Sequence, residues 1–372
     1  MSDPKKIKKL GFGLMRLPRL EGGVIDIEQT KQMVDEFLAA GYTYFDTARV
    51  YTGSEEAIKE ALVDRYPRES YQLATKVCAW EKCETADDAK KQLEISLEKT
   101  GAGYFDYYLL HNVGEGRTKY FDDYGLWDWA LEMKKEGKIK HAGFSFHSTA
   151  DELEELLTKH PEMEFVQLQI NYADWETERI QSRKCYEVAR KHGKPITIME
   201  PIKGGLLANP SQSVKDLFKS YEPDWSPADW ALRFAGGLDG ITVVLSGMST
   251  IEQLRENLKV YEGFDKLTEK QLEAVKKAQD ELAKIDLIPC TECNYCAGVC
   301  PMKIGISGTF TCMNYISLFE DVNYARNHAK WLIGMHGLKP ASECVRCGKC
   351  EEVCPQHISI RDELSKAAKT LE

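Results

Sequence analysis

Between residues 7 and 285, short apolar runs rich in β-branched and aromatic residues alternate with longer amphipathic stretches. Continuous apolar runs of this length predict strands buried on both faces of a parallel sheet. They fall at Gly11–Met15, Thr43–Asp46, Tyr71–Val77, Phe105–His111, Lys140–Ser145, Phe165–Asn171, Ile196–Glu200 and Ile241–Ser246. The stretches between them predict helices. In Glu28–Ala40, Met33, Val34, Phe37 and Leu38 form a stripe of helical period. Ser226-Pro-Ala-Asp229 opens another helix, with Ser as N-cap, Pro in the first turn and Asp three positions on. Asp151–Lys159 and Ile251–Lys259 are two more. Eight strands, each followed by a helix, predict an α/β fold, a (β/α)8 TIM barrel. The rival is an open doubly wound sheet, and no Gly-x-Gly-x-x-Gly follows the first strand to support it.

The alternation stops after Lys266–Leu287, a polar helical stretch that reads as a linker. Two domains are expected, 1–285 and 286–372. The second has the loop-rich character of a small domain organised around bound metal. Of twelve cysteines, only Cys78, Cys83 and Cys185 precede residue 286. Bunching of this kind indicates metal ligands, not scattered disulfides. The first run is Cys290-Thr-Glu-Cys293-Asn-Tyr-Cys296-Ala-Gly-Val-Cys300-Pro301. The second is Cys344-Val-Arg-Cys347-Gly-Lys-Cys350-Glu-Glu-Val-Cys354-Pro355. Both have the spacing that wraps three thiolates around a [4Fe–4S] cube and sends the fourth to a second cube. Cys290, Cys293, Cys296 and Cys354 then hold one cluster, and Cys344, Cys347, Cys350 and Cys300 the other. A zinc pair would favour two well-separated Cys-x2-Cys units instead. Residues 288–358 resemble the two-cluster bacterial ferredoxins, which implies a ferredoxin-like α+β domain. The spacer 301–343 reads as an inserted helical segment, with Asn314–Met335 as its helix. Cys312 fits no ligand position and reads as a buried or free thiol.

Composition narrows the partners. Apolar residues are 43% and charged residues 29%, ordinary for a soluble protein, and the net charge is −10. An acidic surface argues against nucleic acid and anionic membrane as partners. No run approaches the length of a membrane span, and the lysine-rich start lacks an apolar signal core. A cytoplasmic protein is expected.

Three ionisable residues end three of the expected strands: Asp46, Lys76 and His111. In a barrel those ends form the catalytic face. Tyr51 lies on the loop leaving the strand that ends at Asp46. A tyrosine is a poor acid at neutral pH, and a neighbouring ammonium lowers its pKa. Lys76 suits that task, Asp46 would hold Lys76, and Tyr51 can then protonate a carbonyl oxygen as hydride reaches carbon. His111 would hydrogen-bond the same oxygen. Taken singly, a strand-end Asp caps a turn, a buried Lys is an ion pair and a lone His is structural. Together they read as one site. Cys78, Trp80 and the stretch 120–129 follow and are candidates to line its mouth.

Residues 7–260 resemble the aldo-keto reductase family. The matching motifs are Leu10-Gly-Phe-Gly-Leu-Met-Arg-Leu-Pro18, Phe45-Asp-Thr-Ala48 with Tyr51 and Gly53-Ser-Glu55, Ala74-Thr-Lys76, Leu109-Leu-His111, Gly143-Phe-Ser145, Pro201-Ile-Lys-Gly-Gly-Leu-Leu207, and Gly247-Met-Ser-Thr250 with Glu256-Asn257. The resemblance implies a reductase using NADP or NAD without a dinucleotide-binding Rossmann fold. It matches Asp46, Tyr51, Lys76 and His111 to the catalytic tetrad. It matches Gly13, Met15, Ser145, Gln167, Met199, Pro201, Gly204, Gly205, Gly247, Thr250, Gln253, Glu256 and Asn257 to cofactor contacts, with Ser145 and Gln167 on the carboxamide and Met199 beside the nicotinamide. Gly247 and Gln253 replace the cations that many members place on the 2′-phosphate, and Arg255 is a nearby substitute. The expected function is interconversion of a small carbonyl and an alcohol by hydride transfer, coupled to or supported by two [4Fe–4S] clusters that exchange electrons with a redox partner protein. Hydride carries two electrons and each cube one, and no flavin motif is present to mediate. The alternative is a redox-sensing or electron-transfer scaffold whose barrel turns over no carbonyl.

Overall fold

The computed structural model describes residues 7–20, 23–80, 83–114, 116–178, 180–285, 287, 288, 290, 295–352, 354 and 358–372. Eight parallel strands close into a barrel in chain order. They are β1 (Leu10–Gly13), β2 (Tyr44–Asp46), β3 (Gln72–Val77), β4 (Phe105–Val113), β5 (Ile139–Phe146), β6 (Phe165–Gln169), β7 (Ile196–Met199) and β8 (Ile241–Gly247). The closing pair sets Gly13 against Gly247. The expected barrel is therefore present, and each strand overlaps its expected run.

The barrel interior is layered by chemistry. Tyr44, Ala74, Leu109, Phe165, Val243 and Leu245 make an apolar plug. Gly11 is required beside it, because a Cβ there would lie 2.5 Å from Val243 Cγ1. Towards the strand ends the buried positions turn polar: Asp46, Lys76, Ser145 and Gln167 are all buried. A buried polar layer is costly unless its groups find partners, so its concentration at one end marks the working face.

Helices cover the outside as the sequence pattern requires. Asp26 caps Ile27–Ala39, accepting from Gln29 N at 3.0 Å. Pro227 is the first residue of Pro227–Gly237. Thr250 caps Ile251–Glu262. Among the described residues, no helix is long and apolar enough to cross a membrane.

The chain divides into two compact units, Met1–Leu207 with Ala228–Leu272, and Ala208–Pro227 with Glu273–Glu372. In the second unit, helices Ile306–Phe319, Val322–His336 and Ile360–Leu371 pack together. Their core includes Ile306, Phe310, Cys312, Ala325, Ala329, Leu364 and Leu371. Cys312 is a fully buried core thiol. The single helix expected over Asn314–Met335 is two helices. Glu320 turns left-handed (φ 54°) to end the first, and Asp321 caps the second by accepting from Tyr324 N at 2.8 Å. No glycine or proline marks this break, so apolar periodicity runs across it. The β content expected of a ferredoxin-like domain is, among the described residues, one parallel bridge between Ile304 and Lys339.

That bridge matters for the cysteines. Gly305 N donates to Lys339 O at 3.1 Å, and Lys339 N donates to Lys303 O at 2.9 Å. The inserted helices thus leave and return at one point, which carries Cys300 to the second cysteine run.

Candidate active site

At the working end of the barrel, Lys76 Nζ donates to Asp46 Oδ1 at 2.5 Å and to Thr47 O at 2.7 Å. The ammonium also lies 5.0 Å from the centre of the Tyr51 ring. Tyr51 is placed by a tight turn, its N–H donating to Ala48 O, and Gly53 (φ 77°) then starts the next helix. The His111 ring meets the Tyr51 ring edge-on at 5.9 Å. Four residues from three strands and one loop are therefore gathered in one place.

His111 is not the last residue of its strand. β4 runs on to Val113 through an irregularity after Leu110, and Asn112 adopts φ 60°. Such a bulge re-aims a side chain at a barrel rim. Asn112 N donates to Ser145 Oγ at 2.8 Å, which ties the bulge to β5. Trp80 Nε1 donates to His111 O at 2.9 Å. Thr47, inside the Phe45-Asp-Thr-Ala48 motif, and Trp80, already a candidate from its place after Lys76, both touch the tetrad through backbone carbonyls, Thr47 O accepting from Lys76 and Trp80 donating to His111 O.

Burial and charge set the protonation states. Burial raises the Tyr51 phenol above its ordinary value, and Lys76 opposes it without prevailing. The expected net lowering is thus not found, because the phenol is buried as well as paired. Burial alone would lower Lys76, but the Asp46 carboxylate and Tyr51 outweigh it and hold Lys76 above its ordinary value. Burial raises Asp46 against the pull of Lys76. Burial, with the charges of Lys76, His147 and Arg117, holds His111 well below its ordinary value, so its imidazole is neutral at pH 7.

The positions matched to the cofactor lie on the same face. Ser145 and Gln167 are buried neighbours in register on β5 and β6. Gln167 Oε1 is buried with no partner, an acceptor held ready for an N–H donor. Met199 is half-buried at the end of β7, Pro201 is buried, and Gly204 and Gly205 have φ of 67° and 103°. Gly13 and Met15 flank the end of β1, with Met15 exposed. At the end of β8, Gly247 and Glu256 are exposed. Asn257 Nδ2 donates to Ser246 Oγ, and Gln253 Oε1 accepts from Ser249 N. Arg255 forks onto Glu36 at 2.8 and 2.7 Å. Cys78 is buried and held through its backbone by Gln92, and Phe121, Trp127 and Trp129 are packed inside. These residues do not line a mouth. A further polar set was not legible in the sequence: buried Asp174 bonds Lys203, Asn171 and Gln169. It clamps the loops after β6 and β7.

In the second unit, Cys300, Cys344, Cys347 and Cys350 line one cavity of about 320 Å³, open mouth included. Ile304 N and Arg346 N each approach a cysteine sulfur, Cys300 and Cys344, at 3.4 Å. One-turn helices Tyr295–Val299 and Lys349–Glu352, one from each cysteine run, pack on each other. Cys290, Cys296 and Cys354 pack around the same core. Cys293 lies outside the described residues. Among the described residues, no three His, Cys, Asp or Glu side chains converge on a single-ion site. A four-sulfur lining with N–H donors aimed at thiolates fits an iron–sulfur cube.

The sequence profile of the Aldo/keto reductase family matches residues 9–280. The chain belongs to the aldo/keto reductase family. A 4Fe-4S dicluster domain profile matches residues 289–358, so this reductase carries an iron–sulfur domain. It is 28% identical over 312 residues to the aldo-keto reductase str7 of Strobilurus tenacellus, covering 74% of this chain and 90% of the relative. It is 26% identical over 281 residues to the 9,11-endoperoxide prostaglandin H2 reductase of Trypanosoma cruzi, covering 72% and 89%. Two solved folds are similar. One is the holo form of AKR11C1 from Bacillus halodurans (TM-score 0.58, 23% identity, 73% of this chain and 92% of that one). The other is an aldo-keto reductase from Klebsiella pneumoniae in complex with NADPH (TM-score 0.58, 18% identity, 73% and 90%). The protein is thus an oxidoreductase on a (β/α)8 barrel with a C-terminal iron–sulfur domain.

Proposed function

We propose that this protein interconverts a small carbonyl compound and its alcohol with a nicotinamide cofactor, and that Tyr51 is the general acid and base. The carrying observation is the convergence of Lys76, Asp46, Tyr51 and His111 at the polar end of the barrel. The orphan acceptor of Gln167 and the neighbouring Ser145 hydroxyl suit a carboxamide, so these residues would hold the nicotinamide ring. The bound cofactor supplies hydride. Tyr51 gives its proton to the carbonyl oxygen in reduction and takes it back in oxidation. Lys76, fixed by Asp46 and Thr47 O, stabilises the phenolate this leaves. Neutral His111 carries one N–H and can orient the oxygen without competing for the Tyr51 proton.

Tyr51→Phe is expected to lower carbonyl reduction by about a hundredfold or more while leaving nicotinamide affinity, read by fluorescence quenching, nearly unchanged. Turnover retained by the variant would remove Tyr51 from the role. Since the phenol is raised above its ordinary value, its acid form persists below that pKa and is lost as pH rises through it. The reduction rate should stay level from roughly pH 6 to 9 and fall only above about 10. A basic limb near neutrality in the rate profile would mean a different acid.

For the second unit we propose two [4Fe–4S] clusters, one held by Cys300, Cys344, Cys347 and Cys350 and the other by Cys290, Cys293, Cys296 and Cys354. Bound clusters supply one-electron transfer, to or from a partner protein. An anaerobic titration with a one-electron reductant such as dithionite is expected to bleach their visible absorption. Unchanged spectra with full carbonyl turnover would make the clusters structural.

A further inference from the structure

We infer that Arg117 makes this enzyme a reductase of oxo acids, by receiving the carboxylate of an aldehyde or ketone whose carbonyl oxygen lies between Tyr51 and His111. This rests on the carbonyl reading above and names the substrate class of that site.

A wall of three side chains stands beside His111. Trp80, half-buried after β3, donates its indole N–H to His111 O at 2.9 Å, and its ring centre lies 6.4 Å from the imidazole. The indole is thereby fixed next to the histidine that the substrate oxygen would meet. The half-buried Arg117 guanidinium lies over the same indole, 5.1 Å from the ring centre. Arg117 Nη1 also donates to Asn112 Oδ1 at 3.3 Å. Asn112 directly follows His111 and holds a left-handed φ of 60°. In a residue other than glycine that conformation costs energy and persists only where neighbours enforce it, as they do at functional sites. Here its N–H is held by Ser145 Oγ and its side-chain oxygen by Arg117. One bulge therefore serves both residues: it re-aims His111 and sets the acceptor that steers Arg117.

The backbone of Arg117 is anchored as well. Arg117 N donates to Gly114 O at 2.9 Å. Thr118 Oγ1 accepts from Gly114 N at 3.2 Å and donates to Glu152 at 2.7 Å. A Cβ on Gly114 would stand 2.5 Å from Ser148 Cβ, so this loop lies hard against the loop after β5. An arginine tied at its backbone, stacked on an indole and steered by a carboxamide presents its planar fork in a set orientation. Stacking and an amide hydrogen bond orient a guanidinium and leave its charge in place. Burial and that charge together hold His111 well below its ordinary value and His147 at about 4. Two neutral imidazoles and a permanent cation make the β4 side of the mouth positive. Three strands round the barrel, after β7, Glu200 turns negative charge towards Tyr51. A substrate carboxylate is drawn to the β4 side, where a two-point pairing with Arg117 in a part-buried setting is stronger than in water.

The test sets each acid against its own methyl ester, which keeps the carbonyl and removes the charge. The probes are pyruvate and 4-oxopentanoate with methyl pyruvate and methyl 4-oxopentanoate, given to the full-length, cluster-loaded protein with reduced nicotinamide. In wild type, kcat/KM is expected to be at least about tenfold higher for one of the acids than for its ester. Arg117→Gln should lower that acid-to-ester ratio by about ten- to a hundredfold, chiefly by raising KM for the acid. Arg117→Lys should recover part of the loss. Asn112→Gly keeps the left-handed backbone and removes only the carboxamide, and it should lower the same ratio by a smaller factor, about three- to tenfold. No acid preference in wild type, or a ratio that Arg117→Gln leaves unchanged, would overturn the inference and leave Tyr51 in its role. A protein that reduces none of the probes and no neutral aldehyde would overturn the carbonyl reading first and this inference with it.

Discussion

Lys76→Met is expected to remove about a hundredfold or more of carbonyl turnover and, at the same time, about 3–5 kcal/mol of barrel stability. The two losses have one origin. Lys76 and Asp46 are both buried and are each other's charge partner at 2.5 Å. Methionine fills much of the lysine volume but leaves the Asp46 carboxylate in a low-dielectric layer, where Oδ2 already has no partner. An unpaired buried charge costs far more than the pair itself contributes. The pH dependence follows from the direction of the Asp46 shift. Its folded pKa is raised by burial even with Lys76 present, and loss of the ammonium raises it further. A raised carboxylate pKa penalises the folded state above that pKa, and the penalty fades as pH falls towards the unfolded value near 4. Thermal unfolding of the variant should therefore approach that of wild type in acid and fall behind it at pH 8. The double variant Asp46→Asn/Lys76→Met removes the orphan charge and should regain most of the stability but none of the turnover. Equal stability of Lys76→Met and wild type at pH 8 would show that the pair is not buried as described.

The same residues show what a linear sequence can and cannot convey. Strand ends are legible because burial on both faces demands unbroken apolar runs, and Asp46 and Lys76 announce themselves by interrupting such runs. His111 stands two residues before the end of its strand, not at the terminus that the apolar run implies. The bulge that aims it depends on Asn112 bonding Ser145 across the sheet, a contact no local pattern encodes. The clamp of Asp174 on Lys203 is illegible for the same reason, since its partners come from two loops and neither has a special composition. The two-helix form of 306–336 is illegible because Glu320 takes a left-handed conformation that glycine or asparagine would have advertised. The pull of Lys76 on Tyr51 was legible in direction, but the sequence carries no measure of the burial that outweighs it.

The second large effect concerns the cysteine runs, and it separates two ligand schemes. If each run held its own cluster with its own four cysteines, Cys300→Ser would damage the first run. The structure lines one cavity with Cys300 and the first three cysteines of the second run. Cys300→Ser should therefore strip the cluster from residues 344–350, taking iron in anaerobically purified protein from about eight to about four per chain. The structural consequence should be just as selective. Within residues 339–352 the buried apolar side chains are Ala341 and Cys350; the Lys339 pairing and the Ser342–Glu372 hydrogen bond hold the start of the segment, so the bound group is expected to add order chiefly over 344–350. Metal binding is then folding energy for that segment. The helices 306–319, 322–336 and 360–371 share an apolar core that includes Phe310, Ala325 and Leu364, and they are expected to stay packed when the cluster of the second run is lost. Hydrogen exchange by mass spectrometry on the full chain should show protection lost by tenfold or more over 344–350, on the order of 1.4 kcal/mol of local stability. The three helices and the barrel strands should exchange as in wild type. Loss centred on 295–300 instead, with 344–350 still protected, would assign each run its own cluster. The cross-run scheme has a physical reason to prevail. The paired backbone at Lys303, Gly305 and Lys339 closes the insertion into a loop whose two ends meet, which brings the fourth cysteine of the first run beside the second run.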